Sequence, residues 1–181
     1  MTERGPWKTV TSREIYRDAW IALQIDDVIR PDGRPGTHSI IQVKPGIAVI
    51  AMDAERNLYL AEEFHYGVGR WMLEGVCGGC DPGETPLETA RRELREELGI
   101  IAARWTDLGA IDPITSSVVA PGQLFLAEDL SFVETAHEGT ELIRCVKVSW
   151  EEALRMAADG TISHGVTLAL LLRIALLQKG V

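Results

Sequence analysis

Between Thr85 and Gly99 the chain reads TPLETARRELREELG, a helix specified at both ends. Thr85 is suited to cap it, Pro86 to occupy its first position, and Glu88 stands at the capping-box position three residues after the cap. Gly99 stops it. Leu87, Ala90, Leu94 and Leu98 recur at helical spacing, so one face must lie on a core. The other faces are almost wholly charged. Glu93 and Glu97 are one turn apart with Glu96 beside them, and Arg91, Arg92 and Arg95 offset only part of their repulsion. Two readings account for this clustering: a solvated face with ion pairs along the helix, or a set of oxygen ligands for a hard divalent cation, Mg²⁺ or Mn²⁺.

Before this helix the sequence reads as strands. WIALQIDDVIR, HSIIQVK, IAVIAMD, LYLAEEF and RWMLEGV are rich in β-formers and are separated by PDGRPG, PG, AERN and GVG, which have turn or loop composition. After it come two strand-like segments, QLFLAEDL and ELIRCVKVS, then a helix from Ser149 to about Gly160 and a third from about Ser163. Strands followed by helices interleaved with strands predict an α+β fold, a mixed α/β/α sandwich with helices covering a central sheet.

A length of 181 residues suits one ordinary domain with a sizeable core. The formal net charge of -9 argues against a grip on nucleic acid or anionic lipid, and an acidic chain that handles an anionic ligand needs a cation between them. The longest apolar run, VTLALLLRIALLQ, is interrupted by Arg173 and too short to span a membrane, so it reads as a buried helix. Three cysteines and an N-terminus without signal-peptide pattern lead to the expectation of a reduced, cytoplasmic protein.

The register of one segment narrows the chemistry. Gly78, five residues, Glu84, seven residues, then Arg92, Glu93, Leu94, Arg95, Glu96, Glu97, Leu98, Gly99 and Ile100 match GX5EX7REUXEEXGU, U being aliphatic, at nine specified positions over 23 residues. The chain thereby resembles the Nudix hydrolases, and over most of its length the ADP-ribose and ADP-sugar pyrophosphatase branch. The resemblance implies a Nudix fold and metal-dependent attack of water on a nucleoside diphosphate linked to another group. It implies two or more Mg²⁺ or Mn²⁺ ions, held by Glu93, Glu96, Glu97, Glu141 and the backbone carbonyl of Cys77. Glu93, Glu96 and a general base would be catalytic. Glu138 is the candidate base, with Glu134 in reserve and Glu141 not separable from them by alignment. Gly78, Glu84, Arg92 and Gly99 would be structural, and His65, Glu74 and Trp20 would face substrate.

The same resemblance makes residues 1–44 an antiparallel β arm exchanged across a homodimer and residues 45–181 the hydrolase domain. Trp7 and Trp20 lie in that arm, where the expectation for each is core packing, with stacking on a nucleobase the alternative. Departures from the branch bear on substrate. EFHYG puts His65 where arginine is common, VCGG replaces PAGG, and IDPITSSVVAPG stands where SPG is expected. Histidine cannot reproduce the bidentate fork of arginine. The branch implies ADP-ribose or an ADP-sugar as the leading substrate, and these departures make a GDP-sugar, a CDP compound or a dinucleotide the alternative. A ligand sensor on the same fold is disfavoured because all four box glutamates are retained. Cys77 and Cys80 have CxxC spacing, but no second pair of cysteines completes a zinc site and His38, His65, His137 and His164 stand singly. By that reading the Cys77 sulfur is incidental.

Overall fold

The computed structural model describes residues 1–135 and 142–180. The strands are β1 (Thr2–Arg4), β2 (Trp7–Arg17), β3 (Ile21–Ile29), β4 (Pro35–Val43), β5 (Gly46–Met52), β6 (Asn57–His65), β7 (Arg70–Glu74), β8 (Val76–Gly79), β9 (Ile100–Ile111), β10 (Val118–Val119), β11 (Gly122–Phe132) and β12 (Ile143–Ser149). Helix α1 (Pro86–Leu98) joins β8 to β9, while α2 (Trp150–Asp159) and α3 (Gly165–Gln178) follow β12. The chain divides into two compact units, one of Met1–Pro45 with Asp112–Pro121 and one of Gly46–Ile111 with Gly122–Val181.

In the larger unit β5 is apolar on both faces, the composition of a strand covered on each side. Alternation separates its residues. Ala48, Ile50 and Met52 join Trp150 and Ala153 of α2 and Leu170, Leu171 and Ile174 of α3 in one buried cluster. Ile47, Val49 and Ala51 join Ala90, Leu94 and Leu98 of α1 in the other. Helices thus cover both faces of a mixed sheet, the layering that the order of elements predicted. Each fully buried leucine of these clusters contributes about 1.5–3 kcal/mol relative to exposure.

One edge of β5 pairs in parallel with β11, Val49 opposite Phe125. The other edge has two partners in succession, β8 beside Gly46 to Val49 and β6 beside Ala51 and Met52. Because β7 pairs with β6, the chain must cross from one partner to the other between β7 and β8. It does so at Gly75, where a Cβ would press on the Val49 carbonyl oxygen. The sheet therefore divides along this edge.

The smaller unit is a five-stranded sheet in the order β1-β2-β3-β4-β10. Its last strand comes from the segment 112–121, where Val118 pairs in parallel with Ile41 and the Ser117 carbonyl accepts the Ile41 N–H at 2.8 Å. Neither β10 nor the twelve-residue β9 was anticipated from sequence. In β9, Arg104, Asp107 and Gly109 interrupt any apolar alternation, and Gly109, at φ 90°, marks a register shift against β11.

The predicted caps of α1 are present. Thr85 accepts the Glu88 N–H, the Glu88 carboxylate accepts the Thr85 N–H, and Gly99 closes the helix at φ 62°. Ser149 caps α2, whereas His164 precedes α3 without a side-chain cap bond. No helix among the described residues is long and apolar enough to cross a membrane. At Gly99 a Cβ would also overlap the Val133 carbonyl oxygen, on the segment whose N–H bonds the Gly99 carbonyl. Gly99→Ala should therefore destabilise by at least about 1–2 kcal/mol, the cost of a left-handed residue with a Cβ. A urea midpoint unchanged from the parent would contradict this.

Candidate active site

α1 rests its apolar stripe on β5 and β8, and this brings its charged face to the end of β8. Arg92 is the hub. Its Nε and Nη2 donate to the two oxygens of Glu84 at 2.9 and 3.0 Å, and Nη2 reaches the Gly79 carbonyl at 3.4 Å. Nη1 donates to Glu93 at 2.8 Å and to Glu96 at 3.1 Å. The loop before the helix, the strand before the loop and the helix are thus joined through one planar fork, a geometry lysine cannot supply. Thr89, buried and not singled out from sequence, donates to Glu84 at 2.9 Å. Its only sequence signal is a hydroxyl one turn after the Thr85 cap.

Glu93 lies against Gly78, where a Cβ would overlap its carboxyl group. The box glycine thus gives the Glu93 side chain room beside the β8 backbone. Glu97, one turn on, is 8 % exposed. One guanidinium faces Glu84, Glu93 and Glu96, and Glu97 adds a further carboxylate, so negative charge is in excess. Oxygen donors at the end of a helix, in a half-buried setting with surplus negative charge, fit a hard divalent cation. Glu93, Glu96, Glu97 and the Cys77 carbonyl are the described residues suited to hold it.

Of the expected substrate contacts, His65 and Glu74 come together, with His65 Nε2 2.9 Å from Glu74 Oε1. Glu74 is buried. Trp20 belongs to the smaller unit, and there the expectation of core packing fails: the side chain is 64 % exposed, with the Lys44 ammonium 5.0 Å from the ring centroid. A polar turn at Asp18, which accepts the N–H groups of Trp20 and Ile21, holds that residue outside the sheet's buried positions. Trp7 is half-buried and meets His38 edge to face. Glu134 is exposed, and Glu138 and Glu141, with His137, lie outside the described residues.

The two CxxC thiols face opposite sides of the sheet. Cys77 packs with the α3-side cluster and Cys80 with the α1-side cluster. Cys77 lies in β8 and Cys80 follows its last residue, and an odd offset along extended backbone turns two side chains to opposite faces, so this spacing does not form a chelating pair. Cys77, Cys80 and Cys145 are all free thiols. Burial, together with the nearby Glu74, Glu97, Glu63 and Glu93 carboxylates, pushes the Cys77 thiol well above its ordinary range. Its S–H points at the Gly75 carbonyl, 3.3 Å away. The histidines are not all isolated as their sequence positions imply. His164 Nδ1 lies 3.2 Å from the second oxygen of Glu74, so His65 and His164 flank one carboxylate.

The brace has a pH signature. Arg92, and after it Thr89, hold the Glu84 carboxyl down to about 2 from its ordinary 4.5. A carboxyl more acidic in the folded state stabilises fully above its unfolded value and loses that contribution as pH falls toward its folded one. Glu84→Gln should therefore flatten the decline of Tm between about pH 4.5 and about pH 2. Calorimetry giving the same acid slope for variant and parent would show that the pair is not coupled to folding.

Residues 43–170 match the model of the NUDIX domain, and residues 7–41 match that of the nucleoside diphosphate sugar hydrolase N-terminal domain. The ADP-ribose pyrophosphatase of Bacillus subtilis (strain 168) is 31% identical, covering 88% of this chain and 88% of that protein. The ADP-ribose pyrophosphatase of Mycobacterium tuberculosis (strain ATCC 25618 / H37Rv) is 29% identical, covering 96% of this chain and 86% of its own length. A crystal structure of an ADP compounds hydrolase has the same fold, with a TM-score of 0.85 at 20% identity over 99% of this chain and 98% of that one. With the domain match spanning well over half its length, the chain belongs to the Nudix family and is a pyrophosphohydrolase acting on phosphoric anhydride bonds of nucleoside diphosphate derivatives.

Proposed function

We propose that this chain hydrolyses ADP-ribose or an ADP-sugar to AMP and a sugar phosphate, using Mg²⁺ or Mn²⁺ at the carboxylates of α1. The observation that supports this reading is the seat of the Glu93 carboxylate beside Gly78, on the helix that the Arg92–Glu84 pair ties to the preceding loop. Nudix hydrolases generally use divalent metals such as Mg²⁺. Cations held there would supply positive charge that offsets the two phosphates and lowers the pKa of a water. In the reaction a water oxygen bonds one phosphorus while the bridging P–O bond breaks, the bridging oxygen leaving with the other phosphate. Glu138 is the proposed acceptor of the water proton, with Glu93 and Glu96 holding charge around the reacting phosphate. Beside Glu96 a cleft of 610 Å³ is lined by Arg91, Arg92, Arg95 and Trp105, adding cationic and aromatic surface suited to a nucleotide. The names of the relatives support the ADP-ribose assignment. His65, paired with Glu74 in place of an arginine fork, is the observation favouring a different nucleoside diphosphate, such as a GDP-sugar, a CDP compound or a dinucleotide.

Phosphorus NMR of ADP-ribose with protein and Mg²⁺ should show AMP and ribose 5-phosphate, abolished by chelator. Glu97→Gln should lower kcat by about 10²-fold or more. Undiminished turnover in that variant would remove Glu97 from the site, and cleavage confined to another nucleotide of the panel would select the alternative substrate.

The arm is proposed to form a homodimer, in line with the exposed Val10, Ile15 and Tyr16 on β2. Light scattering at micromolar concentration should give twice the chain mass. A single-chain mass would exclude the exchange.

A further inference from the structure

The division of the sheet at Gly75 gathers side chains that take no part in the α1 carboxylate site, among them Glu74, which is also an expected substrate contact. Glu74, Cys77 and His164 each offer a ligand atom, and the three atoms lie within 4.8 Å of one another. They come from the end of β7, from β8 and from the residue preceding α3. Their cluster is on the α3 side of β8, where the Cys77 side chain packs.

The setting of the Glu74 carboxylate favours a cation beside it. The residue is 3 % exposed, and Oε1 is bonded to His65, but Oε2 has no hydrogen-bond partner. A buried, unsatisfied carboxylate oxygen is costly. The nearest candidate, His164 Nδ1 at 3.2 Å, has another bond. The Thr167 hydroxyl accepts the Gly75 N–H at 2.9 Å and lies 2.9 Å from Nδ1. With the Thr167 hydroxyl donating to Nδ1, the imidazole carries its own proton on Nε2 and its Nδ1 lone pair is taken up by that hydroxyl, so no hydrogen of His164 reaches Oε2. Oε2 is thereby left without a donor, and a cation shared with His164 would satisfy it.

We propose that Glu74, Cys77 and His164 form a site for a borderline divalent cation, Zn²⁺ being the natural occupant, separate from the carboxylate site on α1. One carboxylate, one thiolate and one imidazole are a Zn²⁺ donor set and a poor one for Mg²⁺. Adjacent ligands of a tetrahedral zinc stand about 3.3 to 3.6 Å apart, close to the observed Glu74–His164 separation, so the cluster closes by small side-chain shifts. Rotation of the Thr167 hydroxyl releases the Nδ1 lone pair. Binding replaces the Cys77 S–H by a sulfur–metal bond and releases that proton to solvent. His65, on the other oxygen of Glu74, orients the ligating carboxylate. Three protein ligands leave a fourth position for water. The Cys77 sulfur therefore has a function independent of the CxxC spacing.

Co²⁺ is the probe, because its bond to a thiolate gives a near-ultraviolet charge-transfer band that oxygen-only sites lack. The full chain, stripped of metal and kept in excess Mg²⁺ to fill the α1 site, is titrated with Co²⁺. The band should grow to one equivalent, disappear in Cys77→Ser and persist in Cys80→Ser. His164→Asn retains every thiol and should weaken Co²⁺ binding at least tenfold with unchanged circular dichroism, and this variant decides the matter if Cys77→Ser misfolds. No thiolate band, a band that survives Cys77→Ser, or undiminished affinity in folded His164→Asn would overturn the site. None of these readouts depends on turnover, so they remain separate from the fate of the ADP-ribose assignment.

Discussion

The Arg92 guanidinium is the interaction on which the rest of the active site depends. It binds both oxygens of Glu84, reaches the Gly79 carbonyl and contacts Glu93 and Glu96. Without it, the Asp81 and Glu84 carboxylates of the loop between β8 and α1 would face Glu93 and Glu96 with no cation shared among them, and the helix face would repel the loop. These groups are part-exposed, so the value of the arrangement lies less in net stability than in geometry. Five donors in one plane hold strand, loop and helix in one relative position, and the chemistry of a divalent cation requires that kind of precision.

The apolar packing and the charged hub serve the same end. Ala90, Leu94 and Leu98 lock α1 to the face of the sheet formed by Val49 and Val76, and this decides which face of the helix turns to Gly78. Gly78 then matters for what it lacks: any side chain would occupy the space of the Glu93 carboxylate. Gly75 has a comparable role on the other edge, where it lets the chain pass from β6's partner to β5's partner close to the Val49 carbonyl. Two glycines within four positions thus shape both the α1 carboxylate cluster and the Glu74 cluster.

Much of this was legible in the sequence because it is local. Thr85, Pro86, Glu88 and Gly99 act within a few residues of the helix ends, and the leucine stripe of α1 follows from helical spacing alone. The strands around β5 and the caps of α1 and α2 were readable for the same reason. β9 was not, since its polar residues and Gly109 hide the alternation, and its partner β11 is supplied from elsewhere in the chain. Trp20 was misplaced because an indole's apolar area favours the core, while the Asp18 turn and Lys44 hold it at the surface.

Through its resemblance to the Nudix box the sequence by itself determined the reaction class, and helical spacing alone places Glu93 and Glu97 one turn apart with Glu96 beside them. Only the tertiary structure decided which of the other polar residues meet. His65, Glu74 and His164 are spread over a hundred residues and come together because the sheet divides at Gly75 and α3 begins beside the gap. Cys77 and Cys80, three apart in sequence, pack on opposite faces of the sheet, Cys77 within β8 and Cys80 just past its end. Such contacts depend on strand pairing and helix packing between distant segments, and no spacing along the chain encodes them.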